Sequence, residues 1–340
     1  MYEQFFGLRE RPFDLSPNPR YLVLMDSHRE ALSTLEYAIS SRKGISLLIG
    51  EAGAGKTTVI CTALARQASR VHCVHLHNPT LTRTEFVEVL ATRFGLSKRA
   101  IESKTAMLTE LEALLRARRA NGEFTVLIVD EGQSLPPDLL EEIRLLSNIE
   151  THDEKLLCVI LAGQPELAMR LNDPSLRQLK QRIALRCSLR ALTLTETAAY
   201  LAGRIHTAGG VGAQVFTREA VAAIHERAKG LPRTISVIAD NALVTGFAVG
   251  QRPVSSRIVH EVCADFDLRA DHAADVDTTS PAAAPPPADA GSSDTGLFMV
   301  RPAAAAPGDV ASETSEIEPA EPPLRMSSGA GRWLSFFRRA

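Results

Sequence analysis

Residues 50 to 58 read Gly50, Glu51, Ala52, Gly53, Ala54, Gly55, Lys56, Thr57, Thr58, and no other run in the chain narrows its fold as sharply. The run fits G-x-x-x-x-G-K-[ST], with Gly50, Gly55, Lys56 and Thr57 at the fixed positions. Its flanks agree. Ile45-Ser-Leu-Leu-Ile49 is a short apolar run suited to a buried strand, and Val59, Ile60, Ala63 and Leu64 recur at helical spacing. Strand, glycine loop and helix in that order turn successive backbone N–H groups onto phosphate oxygens and add the positive end of the helix. In such a loop Lys56 reaches the β- and γ-phosphates of ATP, and the Thr57 hydroxyl holds Mg²⁺. The bland alternative, a glycine-rich turn without function, has to ignore both flanks.

Further runs extend the pattern. Ser27-His-Arg-Glu30 fits a capping box, with Leu32, Leu35 and Ile39 following at helical spacing. Val71 to Leu76 reads as a strand, and Thr82-Arg-Thr-Glu85 as a second capping box whose helix ends at Gly95. Phe124-Thr-Val-Leu-Ile-Val129 is apolar almost throughout, as strands buried on both faces are. Leu156 to Ala162 and Ala184 to Leu192 complete five strands. Strands alternating with helices predict an α/β fold, a parallel sheet with helices on both faces, over residues 1–194. From 195 to 268 only helical patterns remain, which predicts a small α-helical lid domain. The aromatic and proline-rich stretch Phe5 to Arg20 is expected to wrap the outside of the nucleotide domain.

Beyond about Leu268 the composition changes. Pro281-Ala-Ala-Ala-Pro-Pro-Pro287, Ala303 to Ala306 and scattered acidic residues cannot bury a core, so 269–331 is expected to be disordered. Leu297-Phe-Met-Val300 and the basic-aromatic end, residues 332–340, interrupt that tail. The latter combines Arg332, Trp333, Phe336, Phe337, Arg338 and Arg339, which suits weak contact with an anionic membrane surface or docking on a partner. An unstructured end without function stands beside both.

The chemistry-bearing residues follow the strands. Val129 runs into Asp130-Glu131. Asp130 at the carboxyl end of that strand is placed to hold Mg²⁺, directly or through water, and Glu131 to accept a proton from the attacking water. Gln164, after the fourth strand, is suited to orient that water near the γ-phosphate through its amide; a plain Gly-Gln-Pro turn is the alternative. Arg182, with Arg177 and Arg186 behind it, could enter a neighbouring subunit's site as an arginine finger, or belong to a solvated basic face. Gly230-Leu-Pro-Arg233 opens the apolar helix Ile235 to Val244, where Arg233 could swing onto the phosphates as a lid closes.

In this order the elements resemble the AAA+ superfamily, and the detail is similar to general secretion pathway protein A (ExeA-like) ATPases. Tyr2, Phe6-Gly-Leu8, Pro12-Phe13, Pro17-Asn-Pro19 and His28-Arg-Glu-Ala-Leu32 carry the likeness at the start. Asp130-Glu-Gly-Gln-Ser-Leu135, Leu145-Leu-Ser-Asn-Ile-Glu150, Gly163-Gln-Pro-Glu-Leu167, Gln181-Arg-Ile183 and Gly230-Leu-Pro-Arg233 carry it further on. The resemblance implies ATP binding and hydrolysis, association into a homo-oligomer, and service to envelope assembly or export machinery of secretion, pilus or polysaccharide and exosortase type. Relatives that act in DNA transposition keep a nucleic-acid-dependent ATPase open as the rival. Two departures stand out. The secretion-type protein continues through a membrane span into a peptidoglycan-binding domain, and neither is read here. Gly132 stands where the family more often has alanine, a change expected to matter little.

Composition sets outer limits. A formal net charge of -2 argues against a general nucleic-acid coat. Cys61, Cys73, Cys158, Cys187 and Cys263 lie far apart without a C-x-x-C pair, so neither a disulfide framework nor a zinc site is expected. The start lacks the basic and apolar segments of a signal peptide, and no stretch approaches the roughly 20 apolar residues of a membrane span. The expected location is cytoplasmic, with a peripheral position at the inner membrane open through the terminal segment.

Overall fold

The first strand, β1 Ile45–Gly50, is buried along nearly its whole length because its apolar residues face both sides of a sheet. The computed structural model of the chain describes residues 1–15, 19–67, 70–76 and 81–275, without the side chains of residues 19 and 267–275. Ahead of β1 lie α1 Tyr2–Phe6 and α2 Asp26–Ser40. After it come α3 Lys56–Ala65, β2 Val71–Leu76, α4 Arg83–Phe94, α5 Lys98–Glu102 and α6 Lys104–Ala120. Then follow β3 Phe124–Val129, α7 Pro137–Leu146, β4 Leu157–Gly163, α8 Pro165–Arg170, α9 Arg177–Arg182 and β5 Ile183–Leu189.

The strands form one sheet in the order β2-β3-β4-β1-β5, and every pairing is parallel. Parallel neighbours need crossovers, which put helices on both faces. Residues alternating along the strands sort accordingly. Leu47, Leu127, Val159 and Leu161 pack with α4 to α9, whereas Leu48, Val126, Ile128 and Ile160 pack with α2 and α3. The order also lays the carboxyl ends of β3, β4 and β1 side by side, the crevice where open parallel sheets bind ligands.

Past β5 the chain is helical: α10 Leu194–Thr207, α11 Gly212–Val215, α12 Arg218–Ala228, α13 Pro232–Ala248 and α14 Ser256–Asp275. Thr193 and Glu196 close a capping box at the start of α10, and Pro232 takes the first turn of α13, where its missing N–H costs nothing. Among the described residues of this part, only a single bridge between Phe216 and Val254 is strand-like. Met1–Asp265 belongs to one compact unit; a second begins at Phe266, and its described portion is the end of α14.

Three expectations are corrected. The start of the Phe5–Arg20 stretch does not wrap the sheet domain: Phe6, Leu8 and Phe13 share a core with Leu201, Ile205, Phe216 and Leu243 of the helical part. Large rings need a deep apolar slot, and the gap between α10 and α13 supplies one, while both faces of the sheet are already covered. The Ser27 capping box does not form. Helix α2 starts two residues sooner, at Asp26 with Met25 as its cap, and the Ser27 hydroxyl is buried without a partner. Finally, α14 runs through the composition break at Leu268. Residues 17 and 18, and the tail from 276 onward with both of its apolar-aromatic segments, lie outside the described residues.

Candidate active site

The phosphate loop leaves β1 at Gly50 and reaches α3 through two residues in the left-handed region, Gly53 at φ 80° and Gly55 at φ 96°. Side chains disfavour that backbone, which is why the run needs glycine at both places. The Lys56 side chain is buried, and its Nζ donates to the carbonyls of Gly50 at 2.8 Å and Glu51 at 3.2 Å. Thr57, on the first turn of α3, donates its hydroxyl to Asp130 Oδ2 at 2.9 Å, and the backbone N–H of Glu131 donates to Asp130 Oδ1 at 2.9 Å. Thus β1 and β3 bring the loop and the acidic pair together across one intervening strand, β4.

That strand delivers Gln164. Its Nε2 donates to Glu131 Oε2 at 3.2 Å, so the amide and the carboxylate stand face to face at the sheet's edge. Glu131 itself holds φ 53°, a left-handed backbone that costs a non-glycine residue about 1–2 kcal/mol. Such strain survives where surrounding contacts hold it in place.

A cavity of about 320 Å³ opens over the loop. Its floor includes Gly53, Gly55, Lys56, Thr57 and Thr58, with Glu131 at one side; Leu22, Val23 and Met25 line another wall, and Tyr200, Arg204 and Arg233 come from the helical part. The backbone N–H of Arg233 donates to Gly53 O at 3.1 Å, which ties α13 to the phosphate loop. His28 Nε2 pairs with Ala54 O at 3.0 Å beneath the loop, its Nδ1 is buried without a partner, and burial pushes the imidazole below its ordinary value of 6.5. The neutral tautomer with a proton on Nε2 satisfies that carbonyl.

The geometry fits a magnesium nucleotide. The Thr57 hydroxyl and the Asp130 carboxylate converge on one point, and the loop's left-handed glycines open its backbone toward the cavity. Among the described residues no group of three or more His, Cys, Asp or Glu side chains could hold a metal alone. Thr57 and Asp130 are the residues that would hold a cation here, with phosphate and water supplying its other ligands, as Mg²⁺ takes them in such sites.

Arg182 is not brought to this cavity. It closes α9 at the start of β5, where Ile183 pairs with Ile45, whereas the loop leaves the other end of the same strand pair at Gly50 and Leu189. Arg177 and Arg186 are exposed, Arg177 opening α9 and Arg186 midway along β5 opposite Leu47. Two participants escaped the reading of the sequence. Gln133 donates to Glu131 Oε2 at 2.5 Å, and Arg170 donates to the backbone carbonyls of Gln133 and, at 2.7 Å, Leu135. Nor is Gly132 a free position: a Cβ there would meet Leu161 Cδ1 at 2.8 Å and Ala162 O at 3.2 Å, so alanine would press β4. Among the described residues no helix is long and apolar enough to cross a membrane.

Residues 39–171 match the AAA domain family. General secretion pathway protein A of Aeromonas hydrophila is 42% identical over 264 residues, which is 76% of this chain and 47% of that protein, so the chain spans about half the length of the curated relative it matches. The ORC2 protein of Aeropyrum pernix, solved in ADPNP and ADP complexes, superposes with a TM-score of 0.57 at 19% identity, covering 81% of this chain and 76% of that one. Drosophila ORC bound to DNA superposes at 0.56 with 20% identity, over 79% and 67% of the two chains. Those two likenesses speak to the fold, a P-loop parallel sheet followed by helices. With the AAA domain matched and the Aeromonas protein so similar, this chain is an AAA+ P-loop ATPase of the general secretion pathway protein A (ExeA-like) family.

Proposed function

We propose that the chain binds ATP with Mg²⁺ over the phosphate loop, hydrolyses it, and works as a cytoplasmic motor or switch for an envelope assembly or export system. The observation that carries the catalytic part is the Thr57 hydroxyl at 2.9 Å from Asp130, with Glu131 and Gln164 in contact at 3.2 Å on neighbouring strand ends. Bound Mg²⁺ offsets phosphate charge and supplies Lewis acidity. Lys56 leaves the carbonyls of Gly50 and Glu51 for phosphate oxygens. Glu131 takes the proton of the attacking water while Gln164 holds that water's other side. Arg233 follows α13 onto the phosphates because its backbone is already fastened to Gly53.

Arg182 then serves a second copy of the chain, since its own loop lies at the far end of β5; this supports association into a homo-oligomer. The envelope role rests on the name of the Aeromonas relative, and it is a reading of this chain's partners. The catalytic reading is tested by MgATP hydrolysis by the full chain, which Lys56→Ala should abolish together with nucleotide binding. Turnover by Lys56→Ala at the parental rate would remove the reading. Genes beside this one test the role: secretion, pilus or polysaccharide genes support it, and transposase genes would replace it with the nucleic-acid-dependent alternative.

A further inference from the structure

The turn after β3 is held by one side chain whose two ends do different things. Gln133 Oε1 accepts the backbone N–H of Gln164 at 3.0 Å, and its Nε2 donates to Glu131 Oε2 at 2.5 Å. A backbone N–H can only donate, so the amide's oxygen must face Gln164 and its NH₂ must face the carboxylate. The orientation is therefore fixed by chemistry. The end of β4 is close-packed around it: a Cβ on Gly163 would stand 2.6 Å from Leu167 Cδ2 and 3.0 Å from Gln133 Oε1, so glycine there leaves room for both side chains. Arg170, from α8, grips the backbone carbonyls of Gln133 and Leu135 and keeps the turn from moving away.

The consequence falls on Glu131. Both amide donors, from Gln133 and Gln164, converge on Oε2, and Oε1 has no hydrogen-bond partner among the described residues. Glu131 also borders the cavity and sits on left-handed backbone that relaxes unless something holds it. We propose that Gln133 is a positioning residue for hydrolysis: by occupying Oε2 it presents Oε1 of Glu131 to the attacking water, and by bonding Gln164 it keeps the water-orienting amide in register with the base. A side chain that only stapled β3 to β4 would need the bond to Gln164 alone. The bond to the carboxylate is the part a staple does not use.

This inference rests on the ATPase reading of the site, and Gln133→Glu separates the two ends of the side chain. The introduced carboxylate still accepts the Gln164 N–H, so the staple survives, but it loses the donor to Glu131 and sets a like charge beside it. Steady-state MgATP hydrolysis and nucleotide affinity are measured on the full chain from pH 6 to pH 8, alongside thermal melting. The expected result at pH 8 is a kcat at least about tenfold below the parent, part of the 10²–10⁴-fold that a placed base contributes, with nucleotide Kd within about twofold. The introduced carboxylate and Glu131 then titrate as a coupled pair, so the pH–rate profile of Gln133→Glu should differ in shape from the parent's. Gln133→Ala should lower kcat similarly without that change of shape. Parental kcat in Gln133→Glu at every pH would overturn the inference and leave the ATPase reading standing, as would a kcat loss matched by equal losses in affinity and melting temperature. A parent chain that binds MgATP without turning it over would overturn both.

Discussion

Arg233 and Gly53 touch through their backbones: the Arg233 N–H donates to the Gly53 carbonyl at 3.1 Å, and a Cβ on Gly53 would stand 2.7 Å from the Arg233 Cβ. The first turn of α13 thus rests on the phosphate loop before any ligand is considered. Gly53→Ala should push that turn away and strain a φ of 80° at the same time. The left-handed cost alone is about 1–2 kcal/mol, which corresponds to roughly a tenfold loss of nucleotide affinity if binding needs the same loop backbone. Titration of a fluorescent ATP analogue checks it, with a thermal melt to show that the variant is folded. Affinity within twofold of the parent would mean that loop and helix separate freely.

Glu131→Gln should keep nucleotide and stall hydrolysis, because an amide cannot accept the proton. A drop of about 10²–10⁴-fold in single-turnover rate at unchanged ATP affinity is expected. If the rate stays at the parental level, the proton goes elsewhere and Glu131 is not the base.

Arg182 lies about 20 Å from its own loop if the strand between them rises about 3.3 Å per residue. We place its role in hydrolysis in a neighbour's site. Arg182→Ala should slow turnover by about 10³-fold or more while leaving ATP affinity nearly intact. Mixing it with Glu131→Gln should restore part of the activity, since one interface in the mixture carries both native groups. No recovery at any ratio, with mixed oligomers demonstrated by native mass spectrometry, would rule out action across an interface.

His28 makes a prediction about pH. Burial lowers its folded value beneath the ordinary 6.5, more than Ala54 and the charge of Glu196 raise it. In that window the unfolded chain binds more protons than the folded one, so stability rises with pH through it. The contribution is present in full above about pH 6.5 and is lost as the pH falls through the lowered folded value. The melting temperature of the parent should exceed that of His28→Gln most at pH 7.5 and converge on it toward pH 5. A difference constant across that range would show that His28 stays neutral by other means.

The parts of the site that lie contiguous in the chain were legible in the sequence. Gly50 to Thr58, Asp130 with Glu131, and the Thr82–Glu85 capping box carry their own short-range signals, and the box forms as expected. The placement of Gln164 beside Glu131 was legible one step further, because it needs only that β4 stand beside β3. Gln133 was not. Its bonds cross to a strand end 31 residues away, and no spacing rule marks a glutamine two positions past a carboxylate. Ser27 misled because capping by Ser and burial of Ser look alike in a four-residue pattern. The start of the chain misled for a different reason: aromatic residues announce that they will be buried but not against what.

The burial of the early aromatic residues bears on how the protein is made. Tyr2 bonds Asp240, Phe5 O accepts Arg252 Nη1 at 2.8 Å, and Pro12 O accepts Arg204 Nε at 2.6 Å. Each of these residues therefore leaves the ribosome some two hundred positions ahead of its partner. Contacts so distant in sequence form late, after the sheet has had the chance to assemble from its own nearer pairings. Until those later helices emerge, Phe6 and Phe13 are exposed apolar surface, the kind of surface that chaperones engage. One wall of the cavity over the phosphate loop, carried by Tyr21, Leu22, Val23 and Met25, belongs to the same late-closing part of the molecule.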